Sequence, residues 1–214
     1  MAFHLIDPDS WLRRPQFEHY FTEVPCTYSM TVNLDITLLL HKVKEQGLRL
    51  YPVLIYGIAR AVNARKEFRM STDGQGRVGW SDTADPSYTV FHEDDGSFSS
   101  IWTEYLPDFR TFYDLCTADM AEYGEIHLPD AKPADERKLF DISCIPWTSF
   151  TDFNLNLKNG YGHLPPIFTI GKYFLSGERT LLPLAVQVHH AVCDGYHTAG
   201  LFNDLQGWAD VFGE

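Results

Sequence analysis

An α/β (α+β) two-layer sandwich, a mixed and largely antiparallel sheet covered by helices, is the fold class this sequence predicts. Three observations carry it. Short stretches of strand character recur along the chain and are mostly joined by brief turns. Segments with helical start and stop signals stand between only some of them, which favours a mixed sheet over a strictly parallel one. The 214 residues can bury one sizeable core, and no repeat, low-complexity tract or Ser/Pro-rich linker divides them. A single domain over 1–214 is therefore expected.

The elements follow in order. A short helix is expected around Trp11 to Tyr20, then a strand from Cys26 to Leu34, where polar and apolar residues alternate. Asp35 stands as N-cap before ITLLLHKVKEQ, and Gly47 ends that helix. Pro52 lies in the first turn of a second helix whose VLIYGIARAVN is apolar on most sides, as a buried helix is. RVGWSD, SYTVFHED and FSSIWTEY read as strands. Pro107 and Asp108 open a helix to about Tyr123, and the charged, proline-bearing 128–138 stretch reads as a surface loop. Four further strands are expected in FDISCIPW, SFTDFNLN, PIFTIGKYFL and TLLPLAVQVHH, the last two forming a hairpin closed by Ser176 and Gly177. A final helix begins near Asp194 and places Phe202, Leu205, Trp208 and Phe212 on one face.

Composition narrows the function. A net charge of −12 with no run of Lys or Arg disfavours nucleic acid as a partner. An anionic ligand would need a few placed cations, backbone amides or a helix N-terminus. The 14% aromatic content suits a packed core with room for a flat ligand. Cys26, Cys116, Cys144 and Cys193 are scattered without a CxxC pair. The start lacks the basic and apolar regions of a signal peptide, and no apolar run approaches the roughly 18 residues of a membrane span. A soluble cytoplasmic protein with free thiols is expected. Neither GxGxxG nor GxxxxGK[ST] occurs, so a dinucleotide fold and a P-loop are unsupported.

The densest chemistry lies in QVHHAVCDGYH, residues 187–197, where an apolar strand gives way to the last helix. Such junctions display side chains at a sheet end. Three readings stand open on these residues alone: structural histidines, a metal site using His189, Cys193 and His197 at intervals of four, or general-base catalysis. Gly195 and the strand-like lead-in argue against one continuous helix carrying the metal spacing, and no second ligand cluster completes a site. Neutral imidazole can take a proton at neutral pH.

HHAVCDGYH resembles the HxxxDG signature of chloramphenicol acetyltransferases and, more distantly, of dihydrolipoyl acyltransferase cores and peptide-synthetase condensation domains. WLRRPQFEHY, LYPVLIYGIARAVN, SYTVFHEDDGSFSSIWTEY, SCIPWTSFTDFNLN and PPIFTIGKY resemble the first family alone, in order and over nearly the whole chain. Small departures are Pro15 after the arginine pair, Cys144 beside Ser143 where alanine is usual, and the poorly matching 125–138 segment.

The resemblance implies a CoA-dependent acyltransferase fold and direct transfer of acetyl from acetyl-CoA to the 3-hydroxyl of chloramphenicol. Acetyl-CoA would be a cosubstrate, with no permanently bound cofactor and no metal. His190 would be the general base, Ser143 the oxyanion donor and Thr169 the holder of a supporting water. Asp194 would be structural and paired with Arg13, and Cys193 would not be a nucleophile. Chloramphenicol would meet Tyr20, Cys26, Tyr28, Thr89, Phe98, Phe153 and Leu155. Coenzyme A would meet Tyr51, Trp147 and Tyr173, with Arg49 and Lys172 near its phosphates. A homotrimer with active sites at subunit interfaces is also implied. The alternatives are a related acyltransferase acting on another hydroxyl or thiol, and a non-catalytic binder of hydrophobic drugs built on the same pocket.

Overall fold

A computed structural model of the chain describes residues 2–157 and 162–213. The chain opens with β1 (Phe3–Leu5) and α1 (Arg14–Glu18), which runs on into a π-helical turn (His19–Glu23). β2 (Thr27–Asp35), α2 (Thr37–Glu45) and α3 (Leu50–Asn63) follow, then a 3-10 turn (Lys66–Arg69) and β3 (Met70–Thr72). β4 (Val78–Ser81), β5 (Asp85–Phe91), β6 (Phe98–Trp102) and α4 (Phe109–Tyr123) lead to β7 (Leu139–Ile145). The chain closes with β8 (Ile167–Gly171), β9 (Phe174–Ser176), β10 (Arg179–His189) and α5 (Gly195–Asp210).

The main sheet runs β2-β10-β8-β7-β5-β6, with β9 pairing β10. β7 is parallel to both β5 and β8, and the other pairings are antiparallel, so the sheet is mixed and largely antiparallel. One face of each strand turns to the helices. On β7 this is Phe140 and Ile142, and on β10 it is Leu182, Leu184, Val186 and Val188, all buried with the apolar side of α3 and α5. Asp141, Ser143 and Ile145 alternate with them, so they point to the opposite face. Gly57 of α3 lets the Trp208 ring of α5 come so close that an added Cβ would lie 2.2 Å from it.

Several expectations are corrected. The N-terminal helix is shorter at its start and ends as a π-turn. Ile36, not Asp35, is the N-cap of α2. Asp35 keeps its backbone in β2 opposite Leu181, yet its carboxylate still accepts from Thr37 N at 3.0 Å. SFTDFNLN is no strand: its apolar residues turn toward the open face of the sheet, and Leu155 N donates to the side chain of Gln187 instead of a ladder partner. PIFTIGKYFL is two strands, because Lys172 N donates to Thr148 O and its carbonyl accepts from Ser149 Oγ, diverting the backbone after Gly171. The closing turn of the hairpin is Gly177 and Glu178, with Gly177 at φ 62° and Ser176 still paired to Arg179. A second sheet, β1-β4-β3, was not expected beyond its RVGWSD strand.

Candidate active site

The C-terminal cluster forms where β10 ends. His189 is the last strand residue, residues 190–194 turn, and Asp194 caps α5, its carboxylate accepting from Tyr196 N at 3.1 Å and His197 N at 3.4 Å. His189, Cys193 and His197 therefore sit on a strand, a turn and a helix, which removes the basis for a helical metal spacing. His189 is buried, and its Nδ1 accepts from Ala191 N. Cys193 is buried and its thiol pKa is pushed far up by that burial, so it is no thiolate nucleophile.

His190 is held on three sides. Its backbone N–H donates to Cys26 O at 3.0 Å, Tyr20 stacks on its ring at 4.0 Å, and Tyr28 stands edge-on at 5.4 Å. Its Nδ1 lies 3.1 Å from Cys193 O. A carbonyl oxygen only accepts, so in the neutral ring Nδ1 carries the proton and Nε2 presents its lone pair. Tyr28 stays protonated: burial pushes its hydroxyl up to about 12, and the contact with Thr198 at 3.3 Å only partly opposes this.

Arg13 clamps the turn. Nη1 donates to Asp194 Oδ2 at 2.8 Å, while Nε and Nη2 reach the carbonyls of Ala191 and His190 at 3.3 and 3.4 Å. Burial would raise the Asp194 carboxyl, but the Arg13 hydrogen bond, His197 and the helix amides outweigh it and hold it down to about 2.

A second group gathers on the sheet face opposite the helices. Ser143 of β7 and Thr169 of β8 are side by side in parallel register, their hydroxyls 3.0 Å apart. They neighbour a cavity of about 640 Å³ that Ser143 lines together with Thr89, Phe98, Trp147, Phe153 and Leu155. Thr169 itself is buried beneath the face. Cys144 lines the cavity too, its thiol raised to about 11 by burial. The structure thus divides the seven expected acceptor contacts: Tyr20, Cys26 and Tyr28 gather on His190, and Thr89, Phe98, Phe153 and Leu155 gather with Ser143. His190 is not among the described residues lining that cavity.

Of the expected cofactor residues, Trp147 is among the described residues lining the cavity, and Arg49, Tyr51, Lys172 and Tyr173 are not. Trp147 is exposed and edge-on to Phe91 at 4.6 Å, and Lys172 and Tyr173 are exposed between β8 and β9. Arg49 is exposed at the start of α3. Tyr51 turns inward, donating to Thr89 O at 3.0 Å, and burial pushes its hydroxyl pKa up. The 125–138 segment is tied down by Ala131 N to Ser100 O, Lys132 Nζ to Asp119 at 2.6 Å and Arg137 to the fully buried Asp85 at 2.9 Å. Two polar groups of the cavity, Asp141 and His163, are absent from the sequence expectations.

The family model of chloramphenicol acetyltransferase matches residues 1–206. The chain belongs to the chloramphenicol acetyltransferase family. It is 50% identical over 212 residues to a chloramphenicol acetyltransferase of Clostridium perfringens, covering 99% of this chain and 97% of that one. A solved chloramphenicol acetyltransferase superposes with a TM-score of 0.90 at 25% identity, covering 97% of this chain and all of the other. The dihydrolipoamide acetyltransferase of Azotobacter vinelandii shares the fold, with a TM-score of 0.66 at 18% identity over 92% of this chain and 86% of its own. As a member of the chloramphenicol acetyltransferase family the protein is an acyltransferase, and both His190 and Ser143 fall within the matched residues. Among the described residues no helix is long and apolar enough to cross a membrane.

Proposed function

We propose that this protein transfers the acetyl group of acetyl-CoA to the 3-hydroxyl of chloramphenicol by direct attack within a ternary complex. His190 Nε2 takes the hydroxyl proton as the oxygen attacks the thioester carbonyl. Ser143 Oγ donates to the oxyanion of the tetrahedral adduct, and Thr169 supports it through a water. Collapse of the adduct breaks the carbon–sulfur bond, and the departing coenzyme A thiolate takes the proton back from His190, leaving the base neutral. Asp194 and Arg13 position the His190 turn and do no chemistry. Trp147, Tyr173 and Tyr51 flank the cofactor, with Arg49 and Lys172 near its phosphates.

The single observation that carries this reading is the full-length family match, with the His190 tautomer as its chemical support. The division of acceptor contacts between two clusters supports a further step: in a homotrimer, His190 of one subunit faces the Ser143 cavity of its neighbour. One continuous core favours a single domain over 1–214, and the four unpaired cysteines agree with a reducing, cytoplasmic setting. The test is release of free CoA from acetyl-CoA on adding chloramphenicol. Turnover that disappears in His190→Ala bears the proposal out; chloramphenicol binding without thiol release would leave only a drug-binding homologue.

A further inference from the structure

Residues 150–157 cross the open face of the sheet without belonging to a strand or a helix. Phe153 and Leu155 of this segment nevertheless form a wall of the cavity beside Ser143. No ladder fixes where that wall stands. Its start is set by packing: Phe150 lies so close to Gly171 of β8 that an added Cβ there would be 2.8 Å from the ring, and Phe153 leans on Phe150 at 5.7 Å. Farther along, packing gives out. Leu155 and Leu157 line the Ser143 cavity and also a second hollow of about 90 Å³. A segment with open space on both sides is not held in place by close contact.

Among the described residues one hydrogen bond ties 150–157 to the sheet. Leu155 N–H donates to Gln187 Oε1 at 2.7 Å. Gln187 alternates on β10 with Val186 and Val188 of the helix-side core, so its carboxamide rises on the open face. Its backbone is registered against Ser29 of β2 and Ile167 of β8, which sets the accepting oxygen on an interior strand. Gln187 is buried and lines the small hollow, not the Ser143 cavity, so it acts on that cavity through Leu155. Without its oxygen the Leu155 N–H loses its partner, and the segment must shift to find another.

We propose that Gln187 is a positioning residue for the acetyl acceptor: its carboxamide sets the place of the Phe153–Leu155 wall and so the fit of the acceptor's apolar part. This rests on the acetyl-transfer reading above for the identity of the acceptor.

The experiment compares the full-length protein with Gln187→Leu, which loses the accepting oxygen, and Gln187→Glu, which keeps one at the same reach. Gln187→Asn, whose shorter arm withdraws the oxygen, serves in place of Gln187→Leu if thermal midpoints show that the latter does not fold. Loss of one hydrogen bond predicts a Kd for chloramphenicol, by equilibrium dialysis without acetyl-CoA, and a KM both about 10-fold higher in Gln187→Leu or Gln187→Asn. The kcat and the KM for acetyl-CoA stay within about 2-fold, and Gln187→Glu brings the chloramphenicol Kd back to within about 2-fold of the unaltered protein. An unchanged Kd in a folded Gln187→Leu or Gln187→Asn overturns the proposal. So does an equal loss in Gln187→Glu, or a loss shared by acetyl-CoA. Absence of CoA release from the unaltered protein would instead overturn the acetyl-transfer reading, while the dialysis, which needs no turnover, still reads the wall.

Discussion

At His190 one contact fixes where the protons are. Because Nδ1 faces the Cys193 carbonyl, Nε2 is the basic nitrogen, and removing the ring removes the base. His190→Ala should lower kcat by about 10²–10⁴-fold with chloramphenicol binding retained, read as CoA release and as equilibrium binding. Ser143→Ala should lower kcat by about 10²–10³-fold and leave KM nearly unchanged, the pattern of an interaction made only in the transition state. Asp194 links the site to stability. Its folded pKa of about 2 lies below its ordinary 3.8, so its contribution is fully present above that value and is lost as pH falls toward 2. The gap in urea midpoint between the unaltered protein and Asp194→Asn should therefore narrow on acidification through that window. The Arg13–Asp194 pair is only partly buried, between exposed pairs and fully buried ones, so breaking it should cost about 2 kcal/mol near neutral pH. His190, Asp194 and Ser143 were legible because they sit in motifs. Asp141 was legible only as a strand position sharing the face of Ser143, and His163 gave no local signal at all.

At the scale of elements, the strand and helix periods located most of the sheet and α2 through α5, including the Asp108 cap, whose side chain accepts from Thr111 N. The failures have a common cause. SFTDFNLN carries the alternation of a strand because Phe153 and Leu155 face the cavity, but the segment lies across the sheet and never joins its ladder. β1 and β3 are three residues each, too short for any period to register, and they exist through tertiary pairing with β4. The closeness of α3 and α5 is likewise invisible in sequence, although Gly57 makes it testable. Gly57→Ala drives a methyl into the Trp208 ring and should destabilise the protein by about 1–3 kcal/mol, seen as a lower urea midpoint. An unchanged midpoint would mean that the two helices do not meet as described.

For the whole molecule, the central claim is that chemistry depends on two copies of the chain. Within one chain His190, the proposed base, and Ser143, the proposed oxyanion donor, belong to separate clusters, on the turn after β10 and on the open face of β7. The family supplies the fold and the reaction type, but only assembly would bring the clusters together. In the proposed homotrimer a repeating head-to-tail contact would close into a ring, each interface drawing His190 from one subunit and Ser143 from the next. The most direct test is complementation between His190→Ala and Ser143→Ala subunits, each nearly inactive alone. Co-expressed in equal amounts, they assemble some interfaces carrying an intact His190 from one copy and an intact Ser143 from its neighbour. Random assembly makes about a quarter of the sites whole, so activity should recover to about a quarter of that of the unaltered protein. Activity that stays at the level of the separate variants would place His190 and Ser143 in the same chain's site and contradict the shared interface.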